Sequence, residues 1–87
     1  MANSVTQEQI NKLLKKSRRW TQHRIFDKQC IIVIELPNGF TLVGESACVD
    51  PDNYDDRLGE EIAMKNIEKR LWELEGYLLQ NKLNEQD

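Results

Sequence analysis

Several groups of side chains in this chain of 87 residues are of types that could do chemistry. Glu45, Ser46 and Cys48 bring a carboxylate, a hydroxyl and a thiol close together in sequence. A nucleophilic Cys48 would need a cation or a helix amino terminus nearby to lower its pKa, and the helix start expected just downstream is placed to do that. Alternation along a strand explains the same residues without chemistry. His23 is the only histidine. It stands among polar and charged residues with no cysteine or serine beside it, so it reads as a surface histidine rather than a general base. Asp50, Asp52, Asp56 and Glu61 have the spacing of a calcium loop, but Pro51 stands second and Asp55 sixth, where the sharp turn needs glycine. Turn and capping chemistry is the better account of these aspartates. No catalytic residue, metal or cofactor is expected.

A basic group, Lys12, Lys15, Lys16, Arg18 and Arg19, runs into Trp20. Cations that displace counterions beside a ring able to stack on a base are what a phosphate-tracking surface uses. The alternative is that basic residues at a helix carboxyl terminus complement its dipole and meet acidic groups of the same or a neighbouring molecule. The net charge of −3 weighs against a dedicated nucleic-acid binder. It conceals a polarity, since the cations concentrate in residues 1–30 and the carboxylates in 31–87.

The elements that must position these residues are led by one long helix, expected over 53–83. Asn53 caps it, Asp55 and Asp56 complement its dipole, and no proline interrupts it. Ala63, Met64, Ile67, Leu71, Leu74 and Leu78 fall on one stripe, the core face. Leu58, Ile62, Trp72, Leu79 and Leu83 project to the other side and form a candidate interaction face, for another element or a second copy. A short amphipathic helix is expected over 4–19, with Ser4 or Thr6 as cap and Gln7 or Gln9 closing a capping box. Residues 1–3 read as a frayed end, and 21–29 as a linker with a short extended piece at Arg24 to Phe26.

A β-hairpin is expected over 30–49. Asn38-Gly39 between two β-type runs points to a two-residue type I′ turn, which sets Leu36 opposite Thr41, Ile34 opposite Val43 and Val33 opposite Gly44. Cys30 and Cys48 are then not opposed. Both sides of the first strand carry apolar groups and the long helix covers only one, so either the amino-terminal helix or a second subunit must cover the other. The ribbon also leaves edges open to pairing. The outcome is one small α+β domain over 1–87 of the order αββα. No apolar run approaches a membrane span and no signal-peptide block is evident, so a cytoplasmic protein with reduced thiols is expected.

From Asn38 onward the sequence resembles a family of small tailed-phage proteins, sometimes named after gene products of a coliphage and a Shigella phage. The residues that carry the resemblance are Asn38-Gly39, the strand Gly44 to Cys48, the acidic linker with Asn53 to Asp55, and Trp72 to Tyr77. About half the chain is covered, and the first 37 residues resemble the family little. The resemblance implies a phage or prophage origin and a role in infected bacterial cytoplasm, and it brings no catalytic residues. The leading functional expectation is a non-catalytic, homo-oligomeric interaction protein that engages a host or phage protein. The alternative is a nucleic-acid or nucleotide binder using Lys12 to Trp20.

Overall fold

The computed structural model describes residues 4–85. The order is a helix α1 (Gln7–Lys16), three strands β1 (Arg18–Ile25), β2 (Gln29–Glu35) and β3 (Thr41–Ala47), a 3-10 turn (Pro51–Asn53) and a long helix α2 (Asp56–Glu85). The strands form one antiparallel sheet in sequence order, β1-β2-β3. The class is α+β as expected, with one strand more than the expected hairpin. The reading of residues 1–3 lies outside the described residues.

That strand replaces the expected linker. RRWTQHRI has little apolar alternation to announce it, because its inward positions ahead of the final Ile25 are filled by Arg19, Thr21 and His23 rather than by aliphatic side chains. It forms because β2, apolar on both faces, has a second edge to satisfy. Arg18 to Gln22 pair in register with Glu35 to Ile31, and a bulge then separates Gln22 from Ile25. The helix consequently stops at Lys16 instead of running to 19. Thr6 and Gln9 form the capping box, and Ser17 closes the carboxyl end, its hydroxyl donating to the Leu13 carbonyl at 2.6 Å.

The register of β2 and β3 is one residue from the expected one: Ile34 lies opposite Leu42, Val33 opposite Val43 and Glu35 opposite Thr41. Pro37 is the reason. Its ring holds φ near −65°, suiting the second position of a type I turn and not a type I′ turn. The loop is therefore Pro37-Asn38-Gly39, with Gly39 N–H donating to the Leu36 carbonyl at 2.8 Å and Gly39 at φ 92°. This is the three-residue hairpin loop whose last position needs the left-handed region.

The corrected register sorts the side chains cleanly. Cys30, Ile32, Ile34, Leu36 and Leu42 face α2 and join Ile10, Ala63, Ile67 and Leu71 in the core. Gly44 sits where α2 crosses: a Cβ there would lie 2.1 Å from the Ala63 carbonyl oxygen. Of the expected core stripe, Met64 and Leu74 pack at the border, but Leu78 is exposed because the sheet ends before it. Asp55, not Asn53, caps α2, its carboxylate accepting from Leu58 N–H at 3.0 Å, while Asn53 belongs to the 3-10 turn. α1 lies beside α2 on the same side of the sheet, burying Ile10 and sending Gln7 to Glu68 at 2.8 Å.

Candidate interaction surface

With both helices on one side, the other face of the sheet is open. Three rows cross it from β1 to β3: Arg18, Glu35 and Thr41; Trp20, Val33 and Val43; Gln22, Ile31 and Glu45. Trp20 is 54% exposed and Val43 49%. An apolar centre with polar flanks is the layout of a protein interface. The polar flanks are ordered from within, Arg18 pairing with Glu35 at 2.6 Å and Gln29 donating to Glu45 at 3.3 Å. The amino-terminal helix does not cover this face, so that branch of the earlier expectation is excluded.

The sheet edges, in contrast, are guarded. β1 carries Arg18, Arg19 and Arg24 and a bulge, devices that discourage another strand from adding. On β3 the Glu45 carbonyl already accepts from the Asn66 side chain at 2.8 Å, which blocks one position of that outer edge, and the open ribbon face adds a second free surface to the expected open edge.

The candidate interaction residues of the long helix do not share one surface. Trp72 packs against the core border. Leu58 and Ile62 stay exposed beside Ser46 and Cys48 at the other end of the molecule. Leu79 lines a groove of about 500 Å³ with Val5, Leu78 and Lys82, and Leu83 is half-buried further along.

The basic group is likewise divided. Lys12, Lys15 and Lys16 are exposed on α1. Arg18 and Arg19 alternate on β1, so Arg18 turns to Glu35 on the open face and Arg19 turns to Glu60 on α2. Trp20 stands on the open face with Arg18 alone.

A polar cluster that the sequence reading missed ties β1 to the start of α2. His23 is not a surface histidine on a linker: it is partly buried, with Nε2 at 3.0 Å from Glu60 Oε2 and Nδ1 at 2.8 Å from Tyr54 Oη. A carboxylate paired with Arg19 only accepts, so Nε2–H donates to Glu60, and Nδ1 shares a hydrogen bond with the Tyr54 hydroxyl. Arg24 lies over the Tyr54 ring, 4.9 Å from its centroid, and reaches Asp56 at 3.5 Å. Cys30 adjoins the same hydroxyl, and burial pushes both the thiol and the phenol above their ordinary values. The connectivity, hydroxyl to imidazole to carboxylate, is that of a nucleophile with its base. But the phenol is made harder to ionise, and the recess beside it measures about 50 Å³, room for a water or two. Its evident work is to strap the bulged end of β1 to α2. Only a tertiary contact reveals it, because 31 residues separate His23 from Tyr54.

Ser46 is spent structurally, donating to the Gly59 carbonyl at 2.8 Å, and both cysteines are free thiols. Among the described residues, no three His, Cys, Asp or Glu side chains are grouped to hold a metal ion, and no helix is long and apolar enough to cross a membrane.

A short helix, a three-stranded meander and a long helix, with one sheet face left bare, define a small α+β protein built around a surface rather than a cavity. Residues 5–83 match the model of the Phage protein (N4 Gp49/phage Sf6 gene 66) family, and the chain belongs to that family. The likeness thus extends back from Asn38 to residue 5. No curated protein and no solved structure matches the chain.

Proposed function

We propose that this phage protein is a non-catalytic interaction protein, acting in the infected bacterial cytoplasm, that self-associates through its open sheet face and in that form engages a host or phage protein. The observation that carries the reading is the apolar row Trp20, Val33 and Val43 on a face that no element of the chain covers. Two of the rows are self-complementary. A twofold axis along β2 sets Trp20 of each copy over Val43 of the other, large against small, and Gln22 over Glu45, donor against carboxylate. In the third row Glu35 meets Glu35 of the other copy on the axis, a like-charge contact that each Arg18 offsets by pairing with its own Glu35. Such aligned packing of two faces is the ordinary geometry of a β-sandwich.

The face is small. At usual strand spacing and rise it covers about 350 Å², under half of the roughly 800 Å² that each partner gives to a standard interface. Association should therefore be weak and strongly concentration-dependent. Sedimentation velocity tests it: the parent chain shifts from monomer to dimer between about 5 µM and about 500 µM, while Trp20→Lys stays monomeric with an unchanged circular-dichroism spectrum. A parent chain that remains monomeric over this range sinks the reading.

A second reading places single-stranded nucleic acid on the same face, with a base stacked on Trp20 and a phosphate on Arg18. Glu35 and Glu45 on that face oppose it. Replacing Lys15, Lys16, Arg18 and Arg19 by Ala should abolish any salt-sensitive binding of an oligonucleotide, and no binding of the parent chain at low salt ends this reading.

A further inference from the structure

Phe26 belongs neither to the open face nor to the core, and the fold holds it in place at a cost. Phe26 and Asp27 are the central residues of the turn from β1 to β2, closed by Lys28 N–H donating to the Ile25 carbonyl at 3.2 Å. Both have positive φ, 50° and 65°. This is the pattern of a type I′ turn, where glycine and asparagine sit without strain and a bulky side chain is an outlier. Arg24, at φ 55°, is compensated by its contacts with Tyr54 and Asp56. Phe26 has no such compensation, for it is 87% exposed.

Other apolar groups stand at the same end. Cys48 N–H donates to the Lys28 carbonyl at 3.0 Å, which holds Val49, 94% exposed, beside the turn. Leu58 and Ile62 line the recess next to Cys48. The charge around them is predominantly acidic, with Arg24 engaged by Tyr54 and Asp56. Residues 26–28 and 48–58 contain Asp27, Asp50, Asp52, Asp55 and Asp56 against only Lys28 and Arg57. Of these carboxylates, Asp56 alone has a cationic partner among the described residues.

We infer that this end of the molecule is a second docking surface, anchored by Phe26, whose occupant is a basic amphipathic helix of another protein. Its apolar side chains take up Phe26 and Val49, and its Lys or Arg residues face the aspartates. An exposed aromatic beside apolar neighbours supplies affinity, and the surrounding excess of carboxylates supplies steering and selectivity. Nucleic acid is repelled by the same carboxylates. A second copy docking here through its α1 lysines would join head to tail, building rings or filaments; the test distinguishes this from a helix of another protein. The inference names the partner class within the interaction reading, but it stands on different residues from the sheet face.

The test titrates the isotope-labelled full chain with a synthetic amphipathic helix of leucine and lysine, and with the same peptide carrying glutamate in place of lysine. Amide shifts are expected for the lysine peptide only, confined to residues 25–29 and 47–62. Phe26→Asn should weaken binding about tenfold and also melt higher than the parent, because the left-handed strain is relieved. Val49→Ser, off the strained turn, should weaken binding with melting unchanged. Trp20→Lys should leave peptide binding intact while abolishing self-association, so the two surfaces fail separately. Absence of binding, equal binding of the glutamate peptide, a footprint elsewhere, or binding indifferent to both Phe26→Asn and Val49→Ser each overturns the inference.

Discussion

His23 is held at both ring nitrogens, and its loss would strand one of its two partners. In His23→Ala the Tyr54 hydroxyl loses its imidazole partner inside the fold, while Glu60 keeps Arg19. The expected loss is about 2 kcal/mol, against about 1 kcal/mol for Tyr54→Phe, which removes the hydroxyl itself, both measured by urea unfolding. The neighbouring Cys30 and Tyr54 set an alkaline limit. Burial raises both folded-state values above the ordinary 9.0 and 10.0. A raised value adds stability that is fully present below the unfolded-state value and is lost as pH climbs through the folded one. Melting temperature should therefore be flat with respect to these groups near neutrality and fall only in alkaline solution. Thiol alkylation at neutral pH should modify Cys48 readily and Cys30 only as fast as the fold opens.

At the scale of the element, two small residues decide where the large ones go. Gly44 lets α2 approach the sheet closely enough to seat Ile67, and Gly44→Ala should cost about 3 kcal/mol by forcing the helix off the strand, read as a lower urea midpoint. Pro37 sets the turn and hence the register, which is why Asn38-Gly39 marked a hairpin correctly while its pairing was misread by one residue. The long helix was legible because propensity, capping and spacing agree over many turns. β1 was not, because its inward side chains are polar and bond to α2 from a distance that no local pattern encodes. Without β1 neither the open face nor the strap could be drawn. Trp20 could be singled out beside the cations, but its row with Val33 and Val43 exists only in the sheet. The candidate residues of α2 scattered for a related reason: one helix face meets the border of the core at Trp72 and solvent at Leu58.

The molecule as a whole measures 55 × 21 × 18 Å, its length set by α2. A thirty-residue helix runs about 45 Å, whereas seven-residue strands run about 24 Å, so much of α2 extends beyond the sheet with α1 as its companion. Self-association on the sheet face predicts a melting temperature that rises with protein concentration, and loses that dependence in Trp20→Lys, measured by calorimetry. The placement of α1 also orders events in time. Each strand pairs with its neighbour along the chain, but among the described residues the one element that α1 contacts is α2, the last to be made. On a growing chain the first helix has nothing to close upon until the last has been made, so α1 docks at the end of folding although it is synthesised first. Ile10→Val should then hasten unfolding and leave the refolding rate unchanged in stopped-flow measurements.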